Sequence, residues 1–579
     1  MTDLGADLAA AAREWLASDP DPDTRAELEA VLAADDAAGL SERFGSRLQF
    51  GTAGLRGALG AGPNRMNRAL VRRAAAGLAA WLHAAHPDRV GDGVAVGFDA
   101  RHKSYVFAED TCRVLAGAGI PTHLLPGPCP TPVLAYAIGR LGAAAGVMVT
   151  ASHNPPQDNG YKVYDHSGAQ IVPPTDTEIS AAIDAVGPLE DVLLGELDGP
   201  LVHRLGGAIT DAYLDAVLAM LEPKDGPGAG AGAGPSERRP VVVYSAMHGV
   251  GGATVVELLE RAGFGRPELV AEQFEPDADF PTVSFPNPEE PGAMDLSLAA
   301  AARVGADLVV VNDPDADRLA VAIPSPDTEG GWRMLRGDEV GVLLADAVLT
   351  RPPVLPDAVG RPVLACSLVS SQQLGRMAAA AGVDFEETLT GFKWIARSPG
   401  PDRHLLFGYE EALGYCVGDI VRDKDGMSAL LALVRRVAEL GGSGAALQDR
   451  LDALSREHGL HVTRQRSFRA DGLDGLERIA AAMRRLRTES PHEVAGRAVL
   501  RLEDLSVPQP GRELPPGDVV VLHLDGARVI VRPSGTEPKL KCYLEVVVPV
   551  GDDLAAARAT ANAALDAIDA AMTEVLALP

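Results

Sequence analysis

The stretch Ala143-Ala144-Ala145-Gly146-Val147-Met148-Val149-Thr150-Ala151-Ser152-His153-Asn154-Pro155 joins an apolar strand to a polar loop. In parallel α/β sheets, ligands bind at the loops that leave the carboxyl ends of the strands. We therefore expect Ser152 to be exposed at such a site, with its hydroxyl available for chemistry. Taken alone, a Ser/His/Asn/Pro cluster after a strand is more often a plain turn.

Helical and extended segments alternate on both sides of this stretch. Amphipathic helices are predicted at residues 8–16, 24–32, 69–85 and 108–118, and extended segments at residues 94–98, 241–244, 308–311 and 362–366. This alternation indicates parallel α/β sheets. The Gly/Ala/Pro tract at residues 226–235 favours a flexible loop.

The pattern changes beyond about Arg450. Strands predicted at residues 519–523, 527–531 and 542–548 precede a long Ala-rich helix. We infer three similar α/β units followed by a distinct fourth domain.

The composition is that of a large globular enzyme. A chain of 579 residues exceeds what one hydrophobic core usually fills, and its 46% apolar share can build several cores. A net charge of −28 argues against nucleic acid or an anionic membrane as the main partner. We see neither a signal segment nor an apolar run long enough to span a bilayer, so we expect a cytoplasmic protein.

The five cysteines are scattered without any CxxC pair. They are Cys112, Cys129, Cys366, Cys416 and Cys542. This spacing fits neither a disulfide framework nor a zinc site, and it predicts buried or inert thiols.

A second polar loop, Asn312-Asp313-Pro314-Asp315-Ala316-Asp317-Arg318, also follows an apolar strand. Three carboxylates at alternate positions can converge on one hard cation, and oxygen ligands favour Mg²⁺. A solvated acidic turn and a calcium loop are the alternatives. An EF-hand starting at Asp313 would need Gly at its sixth position and Glu at its twelfth, where this chain has Arg318 and Pro324.

A third loop, Val531-Arg532-Pro533-Ser534-Gly535-Thr536-Glu537-Pro538-Lys539, offers donors suited to a phosphate. Its Arg, Ser, Thr and Lys side chains, together with backbone N–H groups, can surround an anion. The spacing is not that of a Walker loop, and a β-turn with incidental polar residues is an equal alternative.

A fourth stretch, Phe407-Gly408-Tyr409-Glu410-Glu411-Ala412-Leu413-Gly414, has two adjacent carboxylates that can accept hydrogen bonds from sugar hydroxyls. Without other context, a charged helix start is the simpler interpretation. Close behind, Arg422-Asp423-Lys424-Asp425-Gly426 places a lysine between acids, as in a solvated turn or a proton-transfer group.

Together these stretches resemble the α-D-phosphohexomutase superfamily, which includes phosphoglucomutase and phosphomannomutase. The resemblance covers nearly the whole chain. Four motifs occur in the family's order: the phosphoserine loop around Ser152, the metal loop at residues 313–318, the sugar loop around Glu410 and Glu411, and the phosphate loop at residues 532–536. Chance does not readily produce four motifs in this order.

Shorter stretches add to the resemblance. Gly51-Thr52-Ala53-Gly54-Leu55-Arg56 resembles the family's N-terminal segment, and Asn159-Gly160-Tyr161-Lys162 resembles the segment after the phosphoserine. Thr390-Gly391-Phe392-Lys393 and residues 422–426 look like substrate-contacting loops of the phosphoglucomutase branch. Ala412 departs from the Ser of many members, and this variant looks like the subgroup that also holds phosphopentomutases.

The resemblance implies three similar α/β domains with mixed sheets and a distinct C-terminal α+β domain around a central cleft. We expect these four domains at residues 1–206 with the phosphoserine loop, 207–325 with the metal loop, 326–455 with the sugar loop and 456–579 with the phosphate loop.

The resemblance also implies roles for individual residues. Ser152 would carry the phosphate, and Mg²⁺ would be held by Asp313, Asp315, Asp317 and the phosphoserine at Ser152. Lys162, Lys424 and His153 are the candidates for the general base, and Arg318 would contact the phosphate. The expected substrate-binding residues are Arg56, Thr390, Gly391, Lys393, Glu410, Glu411, Arg422, Arg532, Ser534, Gly535, Thr536 and Lys541.

The implied activity is that of a phosphosugar mutase. It would interconvert glucose 1-phosphate and glucose 6-phosphate through a bisphosphorylated sugar, with a sugar bisphosphate as activator. Phosphopentomutase and phosphomannomutase are the alternatives on the same scaffold. A phosphoserine phosphatase would gain nothing from a second phosphate cradle, and an idle sugar-phosphate sensor would not need Ser152 and three aspartates. Small sugar phosphates are the expected partners.

Overall fold

The chain is described here by a computed structural model that covers residues 3–51, 54–222, 238–470, 475–508, 514–534 and 539–578. It divides into two compact units. The first unit comprises Met1–Leu335, Pro353–Asp357 and Gly414–Gly444, and the second comprises Arg336–Pro352, Ala358–Leu413 and Ala445–Pro579.

Helices occur throughout the described residues. They are α1 Asp3–Ser18, α2 Pro22–Ala33, α3 Ala37–Phe44, α4 Arg68–Ala85, α5 Ser104–Gly117, α6 Thr131–Leu141, α7 Thr175–Asp184, α8 Ala208–Leu221, α9 Gly252–Arg261, α10 Asp295–Val304, α11 Gly337–Thr350, α12 Gln373–Ala381, α13 Phe392–Ile395, α14 Gly426–Glu439, α15 Ala445–His458, α16 Gly475–Thr488 and α17 Leu554–Leu576.

The strands of the described residues include the extended segments predicted from the sequence. They are β1 Leu55–Ala58, β2 Val94–Phe98, β3 Thr122–Leu124, β4 Ala145–Val149, β5 Asp158–Asp165, β6 Val202–Arg204, β7 Val242–Ser245, β8 Glu268–Leu269, β9 Leu308–Val311, β10 Ala320–Pro324, β11 Trp332–Met334, β12 Arg361–Ser367, β13 Asp384–Thr388, β14 Arg403–Glu410, β15 Gly414–Val417, β16 Leu460–Arg469, β17 Glu493–Val494, β18 Arg497–Asp504, β19 Val520–Leu524, β20 Ala527–Pro533 and β21 Lys539–Val548.

The first sheet of unit 1 has the strand order β1-β5-β4-β2-β3-β6. Strand β2 pairs in parallel with β3 and β4, whereas β4 and β5 are antiparallel. Every residue of β2 and β4 is buried, as their apolar sequences require. The carboxyl ends of these neighbouring strands lead into residues 99–101 and 150–152, so the two loops lie side by side.

The second sheet of unit 1 has the order β11-β10-β9-β7-β8. Strand β9 is parallel to β7 and antiparallel to β10. All four residues of β9 are buried. The acidic loop at residues 313–317 therefore begins at the carboxyl end of a fully buried strand.

In unit 2, strand β12 pairs in parallel with β13 and with β14. The C-terminal sheet has the order β16-β21-β20-β19-β18-β17, and its pairings are antiparallel. Apolar residues of α16 and α17 share one core with this sheet. A smaller apolar cluster joins Leu368 and Leu389 to Val521, Ile530 and Tyr543 of the C-terminal strands.

Acidic and amide side chains cap several helices. Asn67 accepts a hydrogen bond from the Leu70 amide at the start of α4, and Asp553 accepts one from the Ala556 amide at the start of α17. Such caps satisfy backbone donors that have no partner within the helix.

The predicted fold class is confirmed: three α/β domains precede a distinct C-terminal domain. The domain boundaries at residues 206, 325 and 455 stay predictions. The Gly/Ala/Pro tract at residues 226–235 lies outside the described residues. Among the described residues, no helix combines the length and the apolarity needed to cross a membrane. All five cysteines are free and buried, as predicted.

Candidate active site

Ser152 lies in the loop after β4, in a left-handed backbone conformation with φ of 52°. Its backbone N–H donates to Thr150 Oγ1 at 2.8 Å. The prediction that Ser152 is exposed is wrong, because only 2% of the residue is accessible. Neighbouring polar groups cover the side chain, so the serine is held in place before any substrate binds.

Two side chains contact the Ser152 hydroxyl. It donates to Asp313 Oδ2 at 2.7 Å, and His153 Nδ1 lies 3.1 Å from the same oxygen. The partial burial of His153 and the nearby Arg318 and Arg56 guanidinium groups lower the pKa of His153 well below its ordinary value. Both effects favour the neutral imidazole.

Arg101, which the sequence motifs did not single out, shapes the Ser152 loop. Its buried guanidinium donates to the carbonyl oxygens of Ser152 at 2.6 Å and Pro155 at 2.7 Å, and also to those of Asn154 and Asp158. Arg101 could have been predicted from its position just beyond β2, the strand next to β4. Neighbouring parallel strands bring the loops at their carboxyl ends together.

The three predicted metal ligands meet at one point. Their carboxylate oxygens all lie within 4.8 Å of one another, and all three residues are buried. Within the described residues, Oδ1 of Asp315 and Oδ1 of Asp317 have no hydrogen-bond partner. Buried carboxylate oxygens without a donor fit a hard divalent cation, and an oxygen-only set fits Mg²⁺.

The backbone and Thr131 fix two of these carboxylates. Asp315 Oδ2 accepts a hydrogen bond from Thr131 Oγ1 at 2.7 Å, and Asp313 Oδ1 accepts one from the Arg318 amide at 3.0 Å. Burial and the other two carboxylates raise the pKa of Asp313 well above its ordinary value. A bound cation would remove that repulsion.

Both predicted lysines of unit 1 reach the acidic cluster. Lys162 Nζ lies 2.8 Å from Asp315 Oδ2 and 3.3 Å from Asp317 Oδ2, while Lys424 Nζ lies 3.1 Å from Asp317 Oδ2. Burial disfavours charge on Lys162, yet Asp315 and Asp317 raise its pKa above the ordinary value. Burial likewise disfavours the Asp315 carboxylate, but Lys162 outweighs it and the pKa of Asp315 is lowered.

Two buried tyrosines, also missed from the sequence, hold the Lys424 loop. Tyr164 donates to Asp423 Oδ2 at 3.0 Å, and Asp423 Oδ1 lies 3.2 Å from Lys424 Nζ. Tyr213 donates to Asp425, which caps α14. Both contacts span more than 200 residues of sequence, so local patterns could not reveal them.

The predicted arginines of unit 1 occupy different places around the Ser152 loop. Arg56 Nη1 donates to Asn154 Oδ1 at 3.1 Å. Arg318 Nε lies 3.8 Å from Asp317 Oδ1. Arg422 lies in the segment between β15 and α14.

The predicted sugar loop lies in unit 2. Glu410 ends strand β14, so the interpretation as a charged helix start is wrong. Glu410 Oε1 accepts a hydrogen bond from the Gly391 amide at 2.6 Å, which joins the sugar loop to the predicted Thr390–Lys393 segment. A Cβ at Gly337 would lie 1.8 Å from the Glu411 carbonyl oxygen, so only glycine fits there.

Part of the predicted phosphate loop is described. Arg532 on β20 pairs with Lys541 on β21, and the Ser534 amide donates to the Lys539 carbonyl at 2.8 Å. Gly535 and Thr536 lie outside the described residues.

Four family models match the chain in order between residues 47 and 562. The alpha/beta/alpha domains I, II and III of phosphoglucomutase/phosphomannomutase match residues 47–189, 232–326 and 336–456, and the C-terminal domain of that family matches residues 471–562.

Full-length relatives carry several phosphomutase names. A probable phosphomannomutase of Haemophilus influenzae is 43% identical, over 83% of this chain and 93% of that protein. A phosphopentomutase of Homo sapiens is 33% identical, over 93% of this chain and 91% of its own. A phosphoglucomutase of Staphylococcus epidermidis is also 33% identical, over 87% and 92%.

Among solved structures, the phosphoglucomutase parafusin from Paramecium has a TM-score of 0.65, over 92% of this chain and 95% of its own. At 18% identity this likeness shows the fold alone. The four matched domains and the relatives together establish that this chain belongs to the phosphoglucomutase/phosphomannomutase family, whose named relatives are phosphomutases.

Proposed function

We propose that this chain is a phosphosugar mutase that carries the transferable phosphate on Ser152. The observation that carries the proposal is the contact between the Ser152 hydroxyl and Asp313, within the acidic cluster that also holds Asp315 and Asp317. A hydroxyl fixed beside three buried carboxylates suits phosphoryl transfer, which depends on positioning and charge neutralisation.

Mg²⁺ fits the acidic cluster, where Asp313, Asp315, Asp317 and a phosphate on Ser152 would hold it and where it would neutralise charge on the transferring phosphoryl group. Arg56 and Arg318 lie near the Ser152 loop and the acidic cluster respectively, and we assign both to the same phosphate. Arg101 keeps the loop in its folded conformation through the four carbonyl oxygens.

In the forward half-reaction, a sugar hydroxyl oxygen bonds to phosphorus while the bond between phosphorus and Ser152 Oγ breaks. The sugar hydroxyl loses its proton, and the released Ser152 oxygen gains one. His153 lies 3.1 Å from Ser152 Oγ, so we assign it to proton exchange with the serine. Lys162 and Lys424 are the candidates to accept the proton of the sugar. Asp315 and Asp317 raise the pKa of Lys162, and a cation held by these carboxylates would offset that effect and favour the neutral amine that a base requires.

The second half-reaction returns the other phosphate of the bisphosphorylated sugar to Ser152, and an added sugar bisphosphate would act as activator by phosphorylating the serine. Glu410 and Glu411 accept hydrogen bonds from the sugar hydroxyls, with Thr390, Gly391, Lys393 and Arg422 assigned to the same substrate. The phosphate that is not transferred would be bound by Arg532, Ser534, Gly535, Thr536 and Lys541.

We favour glucose 1-phosphate and glucose 6-phosphate as the interconverted pair, because the Thr390–Lys393 and Arg422–Gly426 segments resemble the phosphoglucomutase branch. Ala412 and the phosphopentomutase relatives support ribose or deoxyribose 1-phosphate as the second candidate. Mannose 1-phosphate is the third, since the Haemophilus influenzae relative is named a probable phosphomannomutase. A cytoplasmic location stays a prediction.

A substrate panel tests the proposal. Purified protein with Mg²⁺ and a trace of sugar bisphosphate is incubated with the 1-phosphates of glucose, mannose, glucosamine and ribose, and products are followed by phosphorus NMR. We expect the isomeric sugar phosphate without inorganic phosphate, and the highest kcat/KM for glucose. Inorganic phosphate alone would indicate a phosphatase, and no product from any sugar would contradict the mutase proposal.

A further inference from the structure

A buried ion pair stands where the C-terminal domain meets the third α/β domain. Strands β20 and β21 place Arg528 and Glu545 opposite each other, and Nη2 of the arginine lies 3.0 Å from Oε2 of the glutamate. Only 4% of Arg528 and 3% of Glu545 are accessible. A pair this deeply buried persists only when further hydrogen bonds satisfy its remaining atoms.

Those further bonds go mainly to one turn of the third α/β domain, residues 370–372, which follows β12. Arg528 Nη2 donates to the Ser370 carbonyl oxygen at 2.7 Å. Glu545 Oε1 accepts from the Ser371 hydroxyl at 2.8 Å and from the Gln372 amide at 2.8 Å. The C-terminal domain therefore binds this turn through hydrogen bonds of both Arg528 and Glu545.

Two more side chains bind the pair, and Nε of Arg528 has no hydrogen-bond partner in the described part of the chain. Arg528 Nη1 donates to Glu387 Oε1 at 2.7 Å, and His461 Nδ1 lies 2.9 Å from Glu545 Oε1. Glu387 comes from β13 and His461 from β16, so strands of both domains contribute. The arrangement fixes the pair in one geometry instead of leaving it to rotate.

The same turn holds Glu411 of the sugar loop. The Glu411 amide donates to Ser370 Oγ at 3.1 Å, and the Ser367 hydroxyl donates to Glu411 Oε2 at 3.2 Å. Ser367 Oγ and Ser370 Oγ lie 2.9 Å apart. Ser370 thus binds Arg528 through its carbonyl oxygen and Glu411 through its hydroxyl.

We propose that Arg528 and Glu545 are positioning residues that set the place of the Glu411 carboxylate through Ser370, and thereby influence which sugar the enzyme prefers. This inference rests on the proposed sugar-binding role of Glu411. Neither residue of the pair needs to touch the substrate. A displacement of the turn would move the Glu411 carboxylate relative to the sugar hydroxyl that it binds. The kcat/KM values of sugars whose hydroxyls are placed differently would then change by different factors.

The test compares kcat/KM for glucose 1-phosphate and ribose 1-phosphate in wild type, Glu411→Gln, Arg528→Met and the double variant. We expect Arg528→Met to change the ratio of the two values in the same direction as Glu411→Gln, by roughly threefold to thirtyfold. The double variant should change the ratio no further than Glu411→Gln alone, because both substitutions act on the same carboxylate.

Three further variants separate positioning from a general structural role. Arg528→Lys keeps the positive charge, but a lysine cannot donate to the three partners that the guanidinium binds. Its ratio of kcat/KM values should therefore lie between that of Arg528→Met and that of wild type. Ser370→Ala removes the hydroxyl that binds Glu411 and tests that second link alone, while Arg528→Lys carries the test of the first link should Arg528→Met fail to fold. Arg487→Met removes another ion-paired arginine of the C-terminal domain, bound to Asp504 and Asp518, and should leave the ratio unchanged.

The inference is overturned if Glu411→Gln changes the ratio while Arg528→Met and Ser370→Ala do not. It also fails if Glu411→Gln leaves the ratio unchanged, and in that case the proposed role of the sugar loop fails with it. A wild-type protein that isomerises neither sugar would instead contradict the proposed function itself.

Discussion

The Ser152 loop in unit 1 and the Glu411 loop in unit 2 both follow a strand of an α/β domain. The carboxylates at the two loops have different kinds of partners. Around Ser152, three buried carboxylates face two lysines, and one oxygen each of Asp315 and Asp317, Oδ1, has no hydrogen-bond partner among the residues that the structure describes. At the sugar loop, Glu410 accepts from a backbone amide and Glu411 from a serine hydroxyl.

This difference separates two tasks. The Ser152 region keeps strong charges close together, which favours a cation and a transferable phosphate. In the Glu411 region, a serine hydroxyl and a backbone amide are among the donors to the two carboxylates, and each carboxylate can accept several hydrogen bonds, including those of sugar hydroxyls. We therefore expect substitutions in the first region to affect all substrates, and substitutions in the second to change the preference among them.

The largest effect is expected for Ser152→Ala. Removing the phosphate carrier should lower kcat at least about a thousandfold with every sugar phosphate. Coupled assays measure kcat, and circular dichroism checks that the fold is retained. The control is Ser167→Ala, which removes the hydroxyl of a serine in the Asp165 turn of the same domain. Its kcat should be close to that of wild type. Near-normal turnover in Ser152→Ala would contradict the mechanism.

Asp315→Asn should have the next largest effect. Losing one charge of the acidic cluster should weaken Mg²⁺ binding about tenfold or more and lower kcat for all sugars, as a chelator should in wild type. Titration calorimetry with Mg²⁺ measures the binding directly. The matched control is Asp327→Asn, which changes an exposed aspartate of unit 1. Unchanged Mg²⁺ affinity in Asp315→Asn would dismiss the metal assignment.

A smaller and more selective effect is expected in unit 2. Arg532→Ala should lower kcat/KM by a similar factor, roughly tenfold to a hundredfold, for hexose and pentose phosphates, since all carry the phosphate that it would bind. Glu410→Gln should change the ratio between these sugars roughly threefold to thirtyfold. Glu477→Gln, on the exposed face of α16, serves as the control. Equal losses for every sugar in Glu410→Gln would refute its reading role.

The last effect concerns stability, and we expect the smallest change in catalysis there. Burial works against the Glu545 carboxylate, but Arg528 and a hydrogen bond from His461 outweigh it, and the pKa of Glu545 falls to about 2. The nearby Glu387 and Asp338 carboxylates complete its charged surroundings. Because this pKa is lowered on folding, its stabilisation is complete above about pH 4.5 and is lost as the pH falls to about 2.

Glu545→Gln should therefore reduce the free energy of unfolding by about 3 kcal/mol at pH 7, and the difference from wild type should shrink between about pH 4.5 and 2. Hydrogen exchange of peptides from β20 and β21 measures this difference in the free energy of unfolding over the same pH range. The control is Glu489→Gln, at an exposed position of the same domain. A difference that does not depend on pH would show that the charge of Glu545 is not responsible.

The sequence predicted what depends on local patterns. Apolar runs located β2, β4 and β9, and the alternate spacing of Asp313, Asp315 and Asp317 predicted their convergence, because a single loop carries all three. The burial of Ser152 was missed, since it depends on Asp313, which lies 161 residues away.

Contacts between distant segments account for the other omissions. Arg101 binds carbonyl oxygens more than 50 residues further along the chain, and Arg528 binds Ser370 across 158 residues. Arg528 lies in an apolar strand, and the polar stretch Asp99–Ser104 that contains Arg101 was not singled out. Their roles follow only from strand pairing and from the packing of one domain on another.

Transfer of label from the enzyme tests the central claim most directly. The protein is phosphorylated with radiolabelled glucose 1,6-bisphosphate and freed of excess label. One portion is mapped by peptide mass spectrometry, and another is mixed with unlabelled glucose 1-phosphate. We predict that the label resides on Ser152 and passes to sugar bisphosphate and sugar monophosphate. Label on another residue, or its release as inorganic phosphate, would contradict the claim that Ser152 carries the phosphate of a mutase.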